Sequence, residues 1–404
     1  MVYRVTLLCL AIPALTRAAD WPQFRGPTQQ GISTERNLPL TWGERENIAW
    51  KTELPGLGWS SPSIAGTQIW LTTALEDGHS LRALCVDRDS GRLIHDMEVF
   101  QKENPGSIHR KNSHASPTPL IEGERVYVHY GRHGTACLTT AGDVVWTTQL
   151  EYNHRHGPGG SPVVFEDVLI INCDGTDQQF TVGLDKRTGK EVWRSTREGS
   201  MAYSTPLLVN VNGQVQAVCC CGEWAVGYEP ATGKELWRFR YPRGYSNVPR
   251  PAAAFGLTFV SSGYDTPTLY ALKLDQTGDM TETGVAWKVT KGAPRNVSPL
   301  IVGDEIYLMT DNGVATCLDA KTGEQHWQER VGGDYSASPI FGDGRIYFLN
   351  ETGKTTVIAP GKTYEVLAEN ELPGRTLASL ATADGAIFLR TDEALYRIQN
   401  ARTK

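Results

Sequence analysis

The sequence predicts an all-β chain folded as an eight-bladed β-propeller of four-stranded antiparallel blades, with the ring closed by an N-terminal strand. Three observations predict it. A small residue followed by proline recurs about every 40–55 residues, a repeat length typical of propeller blades. A Gly-x-x-x-Trp ending recurs at a constant offset of four. Between them lie short apolar runs separated by glycine, asparagine or aspartate turns.

The blade openings are Ser61-Pro62, Ser116-Pro117, Ser161-Pro162, Thr205-Pro206, Arg250-Pro251, Ser298-Pro299 and Ser338-Pro339, with a degenerate eighth at Ser379-Leu380. The endings run from Gly142 to Trp146, Gly189 to Trp193, Gly233 to Trp237 and Gly323 to Trp327. In the third copy, residues 162–165 read as the inner strand, Glu166-Asp167 as its turn and residues 168–172 as the second strand. Residues 180–184 read as the third strand and 190–193 as the fourth. The near-continuous Val and Ile of the second strand suit a sheet packed on both faces. Inner turns such as Asn212-Gly213, Asp343-Gly344 and Asp384-Gly385 suit two-residue hairpins, which require positive φ.

Seven copies carry a full set of strands; the eighth, from about Thr376, ends near Ile398 after three. Residues 47–54, with Trp50, form a fourth strand that has no blade before it. Joining the two removes an open sheet edge and gives eight blades; seven is the alternative count. Three copies depart from the pattern. The first has His95 in place of the Trp, the fifth carries an insertion between Gly278 and Trp287, and the seventh has a strand containing Tyr364.

Residues 1–18 read as a secretory signal, with Arg4, an apolar Val5 to Leu15 and a Thr16-Arg17-Ala18 cleavage site. Leu8 occupies a position that usually needs a small residue before a lipidated cysteine, so lipidation of Cys9 is not expected. Residues 19–44 form an N-terminal extended segment and 45–400 the propeller. No stretch approaches the roughly 18 apolar residues of a membrane span. The expected location is therefore periplasmic or extracellular. A formal charge of −6 provides no footprint for nucleic acid. Removal of the signal leaves seven cysteines, an odd number. Cys85, Cys137 and Cys317 share one repeat position with Gly183 and Gly227, which reads as small core filler and not as bridges.

The runs Leu184-Asp-Lys-Arg-Thr-Gly-Lys-Glu-Val-Trp193 and Leu318-Asp-Ala-Lys-Thr-Gly-Glu-Gln-His-Trp327 resemble the tryptophan-docking motif of pyrroloquinoline-quinone-type (PQQ-like) propellers. That group includes quinoprotein alcohol dehydrogenases and the propeller subunit of the outer-membrane β-barrel assembly machine. The opening Asp20-Trp-Pro-Gln-Phe-Arg-Gly-Pro27 resembles a secreted bacterial branch of it. The likeness implies the fold; it implies activity only if a cofactor site accompanies it. A quinoprotein oxidoreductase needs Ca²⁺ held by six to eight oxygens, an Asp base and a vicinal disulfide beside PQQ. Cys219-Cys220-Cys221 invites that comparison, but its strand context, Gln216 to Gly222, places alternate cysteines on opposite faces. Asp174-Gly-Thr-Asp177 has ligand-like spacing without further ligands nearby.

Residues just before each opening should crowd one channel mouth: Trp59, His114, His156, Tyr203, Asn247, Arg250, Arg295, Asn296, Tyr335 and Arg375. The loops 109–114 and 154–160 add basic groups to an acidic chain, which suits an anionic ligand or partner. His114 with His156 would make half of a metal site. The sequence supports an exported, non-catalytic scaffold that binds a protein or polymer partner in the cell envelope, with no catalytic residues, no metal and no cofactor. The alternative is a small-molecule or quinone-binding propeller, as in a dehydrogenase using PQQ with calcium.

Overall fold

The computed structural model describes residues 20–242 and 244–401; the expected secretory signal lies outside them. Among the described residues, eight sheets of antiparallel strands form the ring. Blade 3 comprises Val163–Phe165, Val168–Asp174, Gln179–Asp185 and Glu191–Arg197, the meander read from the sequence. Its middle strands are almost wholly buried, while its fourth strand alternates exposed and covered residues at the rim. This is why Val and Ile run unbroken in one and polar residues interleave in the other. Blade 8 has Ala381–Ala383, Ala386–Arg390 and Ala394–Gln399, and its fourth strand is Ile48–Glu53. Lys51 lies opposite Tyr396 and Glu53 opposite Ala394, so the two ends of the chain share one sheet.

The repeated Trp has one physical task. Trp193 of blade 3 lies across from Gly183 on its own sheet, and a Cβ at Gly183 would stand 2.3 Å from the indole. The same pairing joins Trp146 to Cys137, Trp327 to Cys317 and Trp237 to Gly227, so the shared Cys/Gly position is where the indole lies on the strand. The indole N–H then reaches the outer turn of the next blade. Trp146 donates to Lys186 O (3.0 Å), Trp193 to Pro230 O (3.1 Å) and Trp287 to Ala320 O (3.1 Å). Trp50 does the same across the closure, donating to Arg88 O (3.0 Å). The receiving turns present a positive-φ glycine, such as Gly189 (φ 71°), because a Cβ there would meet the ring at 2.5 Å.

The three irregular copies are resolved by this register. His95 lies opposite Cys85 and stacks on Trp70 at 5.8 Å, filling the Trp position of blade 1. In blade 7 the position belongs to Ala368, opposite Val357. Tyr364 lies ahead of that strand, Val366–Glu371, and packs on Trp327 (5.1 Å), which corrects its placement within the strand. The blade 5 insertion contributes Gly278–Asp279 as a fifth strand, parallel to Trp237 and Arg238 of blade 4. There the Trp237 indole is covered and donates to Gln216 Oε1 (2.7 Å).

The N-terminal segment lies across one end of the channel. Trp21 forms a β-bridge with Ile64 of blade 1, and Pro22 O accepts the Ile121 N–H of blade 2 (2.8 Å). Gln29 Oε1 accepts Leu208 N–H in blade 4 and Gln30 Oε1 accepts Ala253 N–H in blade 5. Arg25 donates to Pro299 O (2.8 Å) in blade 6, Gly31 and Ser33 bracket Phe341 in blade 7, and Ser33 meets Thr382 in blade 8. Gly26 has φ 72° and packs on the Trp21 ring. Thus the opening Asp-Trp-Pro-Gln-Phe-Arg-Gly run is a plug that ties blades together, with Phe24 facing into the channel.

Candidate functional site

The plug makes the channel blind, leaving a cavity of about 490 Å³ that opens on the other face. Its waist is a ring of hydroxyls. Ser61 N–H donates to Thr118 Oγ1 of the next blade, Thr118 N–H to Ser161 Oγ and Ser161 N–H to Thr205 Oγ1, at 2.9–3.0 Å. The series resumes from Arg250 N–H to Ser298 Oγ, then to Ser338, Ser379 and back to Ser61. All seven hydroxyls are buried and all line the cavity. At Arg250 the ring is interrupted, since a guanidinium offers no lone pair. It turns away to Pro206 O, Phe24 O and Gln29 Oε1, clamping the plug.

The ring corrects one opening. Blade 2 contributes Thr118-Pro119, not Ser116-Pro117, because its inner strand is Leu120–Glu122. Ser116 belongs to the mouth, where its hydroxyl donates to Asn112 Oδ1 (2.5 Å).

Above the ring, the loop between blades 1 and 2 arches over the mouth. His109 N–H and Asn112 Nδ2 both donate to His156 O (3.2 and 2.7 Å), and the His109 and His156 rings face each other at 5.5 Å. His156 packs on Tyr203 (5.8 Å), and burial with the neighbouring His109 lowers its pKa. Lys111 crosses to Glu351 of blade 7 (2.8 Å), and Arg375 of blade 8 covers the Trp59 ring (5.4 Å) while donating to Arg110 O (2.8 Å). Asn296 is held by Asp311, which accepts its Nδ2 (2.6 Å) and whose pKa burial raises.

Four of the ten expected mouth residues, Trp59, His156, Tyr203 and Asn296, line the cavity. Arg375 stands over Trp59, and Arg295 covers Tyr264 (5.1 Å), another cavity wall. The other four lie elsewhere. Asn247 is buried and donates to Cys221 O (2.6 Å), pegging blade 4 to blade 5. Tyr335 is in the core between blades 6 and 7. Arg250 belongs to the plug. His114 packs against Gly78 and lies tilted against His133 (5.9 Å) inside the blade 1–2 seam, apart from His156 in the cavity wall. The error has one cause: channel-lining and seam-facing positions alternate along the approach to each inner strand, and a linear reading cannot phase them. Sequence reasoning missed the hydroxyls as site groups, although the small residue before each proline was their signal. It also missed Phe24, Tyr245 and Tyr264.

The donor set does not fit a calcium–quinone centre. Among the described residues lining the cavity, Asp265 is the single carboxylate, where Ca²⁺ requires several oxygen ligands. Cys219 and Cys221 pack toward blade 3 and Cys220 toward blade 5, all buried with free thiols. Asp174 pairs with Arg197, and Asp177 accepts from Asn153 N–H and Nδ2 (both 2.8 Å), so the Asp174–Asp177 run is divided. No group of three or more His, Cys, Asp or Glu side chains is placed to hold a metal among the described residues.

An eight-bladed ring with a blind, hydrogen-bonding channel defines a propeller scaffold, and its concave mouth is the candidate site. A family model described as outer membrane protein assembly factor BamB matches residues 82–278 and again 273–386, and this chain belongs to that family. BamB of Burkholderia pseudomallei (strain K96243) is 31% identical over 103 residues, a match spanning 26% of each protein. The crystal structure of BamB from Moraxella catarrhalis superposes with a TM-score of 0.63 at 13% identity, covering 88% of this chain and 98% of that one. Quinohemoprotein alcohol dehydrogenase from Comamonas testosteroni superposes at 0.68 with 11% identity, covering 95% and 81%. At such identities the structural likeness shows the shared fold. No helix among the described residues is long and apolar enough to cross a membrane.

Proposed function

We propose that this chain is an exported, non-catalytic scaffold of the cell envelope that holds a protein partner on its open channel face. The observation that carries the reading is the braced loop over the mouth. Lys111–Glu351 and Arg375–Arg110 O fix it to blades 7 and 8, and it leaves the Arg110 side chain exposed, as is Arg155 on the loop whose His156 faces His109. A rigid basic ridge on an acidic molecule suits an acidic segment of a partner, with the charges setting encounter and register. Membership of a family described as an outer membrane assembly factor supports a partner of that compartment.

The test is capture from native envelope extract by immobilised protein, with the wild type against an Arg110→Glu/Arg155→Glu variant, followed by titration of the purified partner. Charge reversal should abolish capture and weaken the titrated affinity at least tenfold, about 1.4 kcal/mol or more across two rim charges. Equal capture and equal affinity by both proteins would refute the reading.

A further inference from the structure

We propose that the blind channel is a binding site for a neutral saccharide, either a free small sugar or the terminal unit of a glycan chain. The inference goes beyond the partner reading and does not depend on it, because Arg110 and Arg155 are not part of the cavity wall.

The hydroxyl ring supplies the first argument. Each of the seven oxygens accepts one backbone N–H from the preceding blade, and none donates its own proton to a protein acceptor among the described residues. The blades therefore orient a circle of O–H donors whose protons are free for whatever fills the channel. An apolar occupant would leave these donors without acceptors, at about 1–3 kcal/mol for each group stranded. The occupant must be rich in oxygen.

Charge supplies the second. Lys111 and Asp265 are the charged cavity-wall residues, and Lys111 is already paired with Glu351. Arg250, at the eighth ring position, points into the plug. Arg295 and Arg375 stand over Tyr264 and Trp59 and are not among the wall residues, so a phosphate or polycarboxylate seated at the hydroxyl ring would meet no unpaired cation in the wall, and burial of an uncompensated anion is strongly unfavourable. An uncharged polyol has no such cost, and its hydroxyls both accept from the ring and donate back to the remaining lone pairs.

The walls supply the third. Trp59, Tyr203, Tyr245 and Tyr264 place aromatic surface above the ring, and Phe24 forms an apolar floor below it. Pyranose rings present C–H faces to aromatic side chains and hydroxyls at their edges, which matches rings above a hydroxyl belt. A volume of about 490 Å³ lies within the range of small-ligand sites. Because the plug closes the far end, a polymer enters only by its terminus.

Ligand-observed NMR and isothermal calorimetry on the mature chain test this with glucose, N-acetylglucosamine and cellobiose, against glucuronate and inorganic phosphate. Saturable binding of a neutral sugar is expected, with no comparable binding of the two anions. Thr205→Val and Ser379→Ala should weaken it about three- to tenfold, the loss of one hydrogen bond. These hydroxyls also accept backbone N–H groups, so a variant that fails to fold is replaced by Tyr264→Ala. Tyr264 is 43% exposed, and its truncation should lower affinity without moving the melting temperature. The proposal is overturned if none of the neutral sugars binds, if an anion binds more tightly, or if folded Tyr264→Ala binds as the wild type does.

Discussion

Acidification should loosen the seam joining blades 1, 2 and 3, where histidines are buried with few partners. His114, His133 and His154 adjoin in succession, the first pair tilted at 5.9 Å and the second edge-to-face at 5.5 Å, and His129 shares Nδ1 with the Thr135 hydroxyl (2.8 Å). Both ring nitrogens of His154 lack a partner, as do Nε2 of His133 and Nδ1 of His114. Burial, helped by the Arg132 charge at His133 and His154, pushes His133 down to about 4 and His154 to about 3. Burial also pushes His129 to about 3 and lowers His114. The unfolded chain protonates near 6.5, so it takes up protons the native state refuses. Stability is then lost as pH falls from about 6.5 toward 4 and 3. At about pH 5 the deficit is roughly 1.5 pH units, or about 2 kcal/mol for each of His129, His133 and His154. Asp174 opposes this. Burial raises its carboxyl to about 6 despite Arg197, so protonating it from pH 6 to 5 returns about 1 kcal/mol. The net loss is about 5 kcal/mol. With an unfolding entropy of about 0.8 kcal/mol/K for a ring of this length, Tm should fall by about 6 °C. Thermal unfolding followed by circular dichroism at about pH 7.5 and pH 5 measures it, alongside a His133→Gln/His154→Asn variant. An unchanged wild-type Tm, or an equal pH slope in the variant, would refute the argument.

Trp50→Ala removes the indole that joins blade 8 to the Arg88–Gly91 turn of blade 1. It should cost about 2–4 kcal/mol, read as a lower Tm, whereas an unchanged Tm would contradict the closure. Gly183→Ala puts a Cβ 2.3 Å from the Trp193 ring and should destabilise by about 1–3 kcal/mol, while Cys137→Ala at the equivalent position should cost less; equilibrium denaturation of both proteins checks the order. Alkylation with mass spectrometry should find Cys219, Cys220 and Cys221 as free thiols that react only after unfolding, since burial raises all three thiol pKa values. A bridged pair would reopen the quinoprotein comparison.

What the sequence determined by itself is the repeat and its closure. Proline openings, Trp endings and two-residue turns are local signals, each fixed by backbone sterics within one blade. The lone strand around Trp50 could complete only the blade that lacked one. The cysteine–glycine position was legible for the same reason, since it is the cross-strand partner of a residue in the same hairpin. The tertiary structure decided what faces the channel. Whether a residue before the inner strand lines the cavity, as His156 does, or enters a seam, as His114 does, depends on the twist of eight blades around an axis absent from any single repeat. The choice of Thr118 over Ser116 was made by hydrogen bonds to neighbouring blades. The plug is likewise non-local: Arg25 reaches carbonyls 274 and 314 residues away, and only when the ring has closed do those carbonyls stand close enough to bind one guanidinium.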